Sequence, residues 1–342
     1  MSKMLNLKVV AVEAETADAV TIHLKPPFMR KLDYLAGQYL SLEFDAAGTP
    51  QRRAYSLSST PGLDRHLSIT VKRVDGGLVS ARLVEQLTAG DRVRSLGTSG
   101  RFVLAQGARH LVMLAGGSGI TPIFSIIKQA LHFELDSRIT LIYCNRNRQS
   151  VIFADKLDQL AARYPGRLQV IHLFSQPEDG SAGARLCQER AMELLAPLNG
   201  EHTHYYLCGP AGMMQQAREA LRSLQVADNR VHLENFVAPI KPAAPTTTPA
   251  GLASQVHLHL QGREYSFAVR PGQTILEAAL AQGVEPPFSC RSGFCTACVC
   301  TRLTGEVEMA EGHGLSPAEL KMGQALMCVG YPKTAEVRLT VD

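Results

Sequence analysis

At 342 residues, with 45% hydrophobic and 19% charged residues, the chain has the composition of ordinary globular protein and the length for two or three domains, which excludes a disordered chain and a small stapled scaffold. Its 35 Lys/Arg against 31 Asp/Glu form no basic block, so the charge footprint that nucleic-acid binding needs is missing. No apolar run approaches the roughly 18 residues of a membrane span, and Met1 to Val9 holds no continuous apolar stretch, so a cytoplasmic protein without a membrane span is expected.

Short alternating runs fill residues 1 to 104: Lys8 to Val12, Ala19 to Leu24, Leu40 to Phe44 and Leu67 to Val74. Period-2 alternation broken by Gly, Pro and Asp turns predicts an antiparallel barrel or sandwich. Within this part lies Arg52-Arg53-Ala54-Tyr55-Ser56. A guanidinium beside an aromatic ring and hydroxyls suits a flat, phosphate-bearing ligand, although the same pattern occurs on plain surface strands.

From Arg109 onward apolar strands alternate with helical stretches. Strands are expected at Leu111 to Ala115, Ile139 to Tyr143, Leu168 to Phe174, Tyr205 to Cys208 and Val231 to Leu233. Helices are expected at Pro122 to Phe133, Phe153 to Arg163, Arg185 to Ala196 and Met213 to Leu224, which together predict a parallel, doubly wound sheet. The first strand runs into Gly116-Gly117-Ser118-Gly119-Ile120-Thr121-Pro122. Glycines there let backbone N–H groups approach a pyrophosphate, and a helix N-terminus attracts its charge. A second glycine-bearing strand end, Cys208-Gly209-Pro210, belongs to the same sheet, and ligands of open α/β sheets sit at such ends.

Residues 239–253 are rich in Pro and Thr and read as a linker. Beyond it, seven Lys/Arg face nine Asp/Glu, so a mildly acidic module follows a mildly basic body. A hairpin is expected at Val256 to Leu260 and Tyr265 to Val269, followed by a helix at Thr274 to Leu280. Five of the eight cysteines fall in the last 53 residues, which points to a metal or redox site. Cys290, Cys295, Cys298 and Cys328 have the C-x4-C-x2-C…C spacing of plant-type [2Fe–2S] sites. Zinc, a disulfide pair and apolar packing are the competing readings, zinc being disfavoured because only one C-x2-C pair is present. Cys300 is the spare thiol, expected to pack.

The order of these constellations resembles the ferredoxin–NADP reductase superfamily. Arg53-Ala54-Tyr55-Ser56 matches its flavin R-x-Y-S motif, Gly117 to Pro122 its nicotinamide-dinucleotide loop, and Cys208-Gly209-Pro210 its C-G-P motif. Gly77-Leu78-Val79-Ser80 is similar to the G-x-x-S turn for flavin phosphates, and Gly97 to Phe102 to the segment closing the flavin domain. The tail resembles a plant-type ferredoxin. Over nearly its whole length the chain is similar to phenylacetyl-CoA epoxidase reductase subunits and to oxygenase and hybrid-cluster-protein reductases.

The resemblance implies a multidomain chain: an antiparallel β-barrel flavin domain (1–104), a doubly wound α/β nicotinamide-binding domain (105–238), the linker (239–253) and a β-grasp [2Fe–2S] ferredoxin domain (254–342). FAD is expected, favoured over FMN by the segment from Lys72 to Ser80. Arg53 would hold the flavin pyrophosphate, Tyr55 would pack on the isoalloxazine, Ser56 would hydrogen-bond near N5, and Gly77 and Ser80 would receive phosphates. Gly117, Ser118, Gly119, Thr121, Pro122, Cys208, Gly209 and Pro210 would shape the NADPH or NADH site, with Tyr55, Ser56 and Cys208 at the reacting centre. Arg146 and Arg148 follow the second parallel strand with no acidic residue among them, which favours a 2′-phosphate and hence NADPH. Glu234 and Phe236 either reach the flavin edge or close the domain.

The implied function is a reductase that passes electrons from NAD(P)H through FAD and the cluster to a separate protein acceptor, foremost an oxygenase or epoxidase. A hybrid-cluster protein or fatty-acyl desaturase as acceptor, or a zinc-binding nucleotide module without redox activity, are the alternatives.

Overall fold

The computed structural model describes residues 4–27, 32–46, 49–236, 253–310, 313–315 and 317–341. The chain divides into two compact units, Met1–Phe236 and Val237–Asp342. The linker expected at 239–253 lies, except for its last residue, outside the described residues.

The first unit opens with six antiparallel strands: β1 (Leu5–Thr16), β2 (Ala19–Lys25), β3 (Tyr39–Ala46), β4 (Thr49–Ser56), β5 (Leu67–Lys72) and β6 (Arg92–Ser99). They run in the order β4-β3-β6-β1-β2-β5. Alternation places Leu7, Val9, Ile22, Leu24, Leu40, Leu42 and Ile69 in one core. Leu57 bridges Ile69 antiparallel, so the outermost strands β4 and β5 also approach each other. A short helix, α1 (Leu78–Glu85), follows β5.

The same unit continues with five parallel strands, β7 (His110–Gly116), β8 (Arg138–Asn145), β9 (Leu168–Phe174), β10 (Thr203–Cys208) and β11 (Val231–Glu234), in the order β11-β10-β7-β8-β9. Helices α2 (Ile120–Phe133), α3 (Ala154–Arg163), α4 (Gln188–Leu195) and α5 (Ala211–Ser223) connect them. Leu111, Met113 and Ala115 of β7 pack with α2 and α3, while Val112 and Leu114 pack with α4 and α5. Every residue of β7 is buried, as a strand covered on both faces must be. The chain builds outward from β7 to β9 and then returns to the other side of β7 with β10. The carboxyl ends of β7 and β10 therefore diverge into opposite connections, the crevice where open α/β sheets bind ligands.

The two parts of this unit are locked together. The Thr60 hydroxyl donates to the Ser125 carbonyl at 2.9 Å, Lys128 pairs with Asp64, and the Ala105 N–H donates to the Tyr206 hydroxyl at 2.8 Å.

The second unit has β12 (Ser254–Leu260), β13 (Arg263–Val269), α6 (Ile275–Ala281), β14 (Val299–Thr304), β15 (Val307–Met309), β16 (Gln324–Leu326), β17 (Gly330–Pro332) and β18 (Glu336–Val341). Its main sheet runs β13-β12-β18-β14-β16, with β12 and β18 parallel. Gln261 and Gly262, both at positive φ, make the tight turn between β12 and β13. A reciprocal cap between Thr274 and Glu277 starts α6, which packs its Ile275, Leu276 and Ala279 onto the sheet. Among the described residues no helix is long and apolar enough to cross a membrane.

Candidate functional site

A cleft of about 970 Å³ opens between β4, the end of β5, the start of α1 and the turn after β7. Of the residues singled out from sequence, it brings together Arg53, Tyr55, Ser56, Lys72, Gly77, Ser80, Ser118 and Thr121. Strand pairing fixes β4 here, with Tyr55 opposite Leu40 and Arg53 opposite Leu42. Burial pushes the Tyr55 phenol well above its ordinary pKa, so it stays neutral, and the nearby Arg53 only partly opposes this. The cleft is large enough for a dinucleotide-sized group, and its lining joins cations, hydroxyls, an aromatic ring and apolar surface.

The first turn of α1 carries no acidic side chain and no side-chain cap, which leaves its N–H groups and partial positive charge facing the cleft. Ser80 lines the cleft. Its hydroxyl accepts from the Val74 N–H and donates to the Gly77 carbonyl, both at 3.1 Å, so it closes the loop that leads into α1. Gly77 is required beside it, because a Cβ there would lie 2.7 Å from the Ser80 oxygen.

Sequence reasoning missed Gln51, Thr70, Val74, Leu78 and Arg82 as lining residues and left Phe236 undecided; Phe236 lines the cleft. Leu78 is 80% exposed, a property set by the fold that the sequence does not carry.

The strand ends β7 and β10 interlock backbone to backbone. A Cβ on Gly119 would lie 2.0 Å from the Cys208 carbonyl oxygen, and one on Gly209 2.9 Å from the Gly116 nitrogen. Tyr143, wholly buried, donates its hydroxyl to the Gly117 carbonyl at 3.0 Å, and the Thr121 hydroxyl donates to the Ser118 carbonyl at 3.0 Å. Pro122 sits buried in the first turn of α2. Burial, with the Glu234 carboxylate nearby, pushes the Cys208 thiol far up and keeps it protonated. Gly209 and Pro210 follow directly, and Pro210 caps the start of α5.

Arg146 and Arg148 lie just past β8, outside the cleft. Arg148 pairs with Asp158 and reaches His172 Nε2 at 3.4 Å, while the buried His172 Nδ1 has no hydrogen-bond partner among the described residues. Arg146 pairs with Asp18 at 3.5 Å.

In the second unit, Cys290, Cys295 and Cys298 share one irregular loop turned by Arg291, Gly293 and Thr296 at positive φ, and Cys328 follows β16. The Cys290 thiol meets those of Cys295 and Cys328, and Cys328 meets Cys298, so the four sulfurs converge. Backbone N–H groups of Ser292 and Cys295 donate to the Cys290 sulfur, and that of Cys328 to the Cys298 sulfur, each at 3.4 Å. Hydrogen bonds from Cys295, Cys328 and the loop N–H groups hold Cys290 well below the usual thiol range; the same contacts push Cys295 and Cys328 up. Converging sulfurs ringed by N–H donors fit a thiolate-ligated iron–sulfur cluster. Cys300 is buried and donates to the Ala325 carbonyl at 3.4 Å, so it packs.

The same layout recurs in known proteins. Residues 6–104 match the oxidoreductase FAD-binding domain, 113–219 the oxidoreductase NAD-binding domain and 258–333 the 2Fe-2S iron-sulfur cluster binding domain. The chain is 34% identical over 352 aligned positions to the ferredoxin reductase component of 3-ketosteroid-9-alpha-monooxygenase from Mycobacterium tuberculosis, covering 99% of this chain and 96% of that protein. It is also 34% identical over 354 positions to a component of the 1,2-phenylacetyl-CoA epoxidase from Escherichia coli, covering 100% and 99%. Among solved structures, phthalate dioxygenase reductase superposes with a TM-score of 0.64 at 26% identity, over 99% of this chain and 98% of that one.

Proposed function

The chain belongs to the ferredoxin–NADP reductase superfamily, among the members ending in a [2Fe–2S] domain, and is an NAD(P)H-dependent iron–sulfur flavoprotein reductase; from this premise we propose that it serves a separate oxygenase or epoxidase, of the phenylacetyl-CoA epoxidase or ketosteroid monooxygenase type. The converging sulfurs of Cys290, Cys295, Cys298 and Cys328 are the observation that carries this reading. When bound, the flavin would supply hydride acceptance from the nicotinamide and the cluster one-electron transfer.

The chain's own residues supply binding and orientation. Arg53 and the N–H groups at the start of α1 would hold the flavin phosphates, Tyr55 and Phe236 would pack against the ring system, and Ser56 would hydrogen-bond near N5. Gly117, Ser118, Gly119, Thr121 and Pro122 with Cys208, Gly209 and Pro210 form the nicotinamide crevice, and the protonated Cys208 adds no charge to it. Arg146 and Arg148 take the 2′-phosphate of NADPH, a reading supported by the cationic end of β8 and the open Nδ1 of His172. In this reading residues 1–104 form a closed flavin barrel, 105–238 a doubly wound nicotinamide domain, 239–253 a linker and 254–342 a β-grasp ferredoxin domain. Eight free cysteines suit a reducing compartment, the cytoplasm.

Purified protein should have visible flavin and iron–sulfur bands, and anaerobic NADPH should bleach both at lower concentration than NADH does. A colourless, zinc-bearing preparation from cells supplied with iron and riboflavin overturns the reading. Ser80→Ala removes the clamp between Val74 and Gly77, and a hydrogen bond contributes roughly 1 kcal/mol. Flavin release, followed by fluorescence, should become about 5-fold easier, and thermal unfolding of the flavin-free protein should move down by a few degrees.

A further inference from the structure

The turn between β1 and β2 carries Asp18, and this turn touches both halves of the first unit. Asp18 Oδ2 lies 3.5 Å from Lys72 Nζ, at the flavin cleft, and 3.5 Å from an Arg146 terminal nitrogen, at the end of β8. Its other oxygen accepts from the Thr16 hydroxyl at 2.8 Å, and its carbonyl accepts from the Arg73 N–H at 2.7 Å. Nearby, Lys156 of α3 pairs with Glu13 at 3.0 Å and Glu15 at 2.6 Å, which fixes the turn against the nucleotide half.

We propose that Asp18 is a positioning and specificity-determining residue: its carboxylate holds Arg146 in reserve and competes with the 2′-phosphate of the nucleotide for that guanidinium. The inference rests on the reading of Arg146 as a 2′-phosphate ligand. The contact is built to exchange. The Arg146 side chain is 63% exposed and meets one carboxylate oxygen beyond close hydrogen-bond distance, whereas a phosphate offers a forked, doubly charged partner. When Arg146 leaves, Asp18 keeps Lys72 and the Thr16 hydroxyl, so no carboxylate is stranded. Arg148 differs, since Asp158 and His172 hold it from two sides. Asp18 thus lowers the affinity for 2′-phosphorylated nucleotide, and it does so through the same oxygen that steadies a cation of the flavin cleft.

The test is calorimetric titration of the full-length flavoprotein with 2′,5′-ADP and with 5′-AMP, alongside KM for NADPH and NADH. An exposed ion pair of this kind shifts an equilibrium by about 3-fold. Asp18→Asn should tighten 2′,5′-ADP by about that factor and leave 5′-AMP unchanged, with the NADPH-to-NADH KM ratio moving alike. Asp18→Glu should restore the parent values, and Arg146→Ala in the Asn background should erase the gain. Equal effects on both fragments, or none, while Arg146→Ala still weakens 2′,5′-ADP, overturn the role of Asp18 and leave the NADPH reading standing. If Arg146→Ala leaves 2′,5′-ADP untouched, the NADPH reading itself falls. Should Asp18→Asn not fold, Asp18→Ala, which also removes the charge facing Arg146, must show the same selective tightening, and an unselective result overturns the proposal.

Discussion

Cys328→Ser should abolish electron delivery to a protein acceptor while the flavin half keeps working. Cys328 is the one ligand candidate outside the Cys290–Cys298 loop, and it reaches the other sulfurs because the chain leaves β16 beside them, with its N–H on the Cys298 sulfur at 3.4 Å. A serine oxygen is harder and less readily deprotonated than a thiolate, and even outer-shell changes at metal sites cost about 10- to 100-fold in affinity. Loss of a ligand should exceed that, so iron content and iron–sulfur absorbance should fall to near the apoprotein level. Reduction of a one-electron protein acceptor should drop by at least about 100-fold. NAD(P)H-dependent reduction of ferricyanide, which the flavin alone supports, should stay within about two-fold of the parent because the cleft belongs to the other compact unit. Equal loss of both activities would mean that Cys328 supports the whole fold and not the cluster. Cys300→Ser is the matched control: its sulfur faces the Ala325 carbonyl, and it should keep iron.

What the sequence made legible follows from how local each signal is. The four cysteines were readable because three lie on one loop and their spacing is itself the geometry. The parallel strands were readable because burial on both faces leaves continuous apolar runs such as Leu111 to Ala115. Helix starts were less so. The helix α2 begins at Ile120, two residues ahead of the expected Pro122, since proline is tolerated anywhere in a first turn whose N–H groups lack partners. In β6 the alternation of Arg92, Val93, Arg94 and Ser95 carries too little apolar contrast to declare a strand, and β15, β16 and β17 are three residues each. The cleft was legible as motifs but not as a surface, because Phe236 and Tyr55 come to line the same cleft only through tertiary packing. The Asp18–Arg146 pair spans most of the first unit's sequence and left no local trace.

The glycines after β7 have a structural reason beside the expected one. Sequence reasoning assigns them to the approach of a pyrophosphate, whereas at Gly119 the backbone of β10 already occupies the space a side chain would need. A Cβ there would lie 2.0 Å from the Cys208 oxygen, 2.5 Å from its carbonyl carbon and 2.9 Å from the Gly209 nitrogen. All three are main-chain atoms, which cannot swing aside as a flexible side chain would. Gly119→Ala must therefore part the ends of β7 and β10 or shift the start of α2, and overpacking of this kind costs roughly 1 to 3 kcal/mol or more. In the proposed reading these two ends form the nicotinamide crevice, and a displacement of about 1 Å at a reacting centre costs on the order of 100-fold in rate. Stopped-flow reduction of the flavin by NADPH should slow by about that factor, and thermal unfolding of the first unit should move down by several degrees. Gly212→Ala, in the first turn of α5 with nothing within 4 Å of the new Cβ, should be neutral or slightly stabilising. If the two variants behave alike, the two strand ends are not held by contact at Gly119, and the glycine serves the bound nucleotide alone.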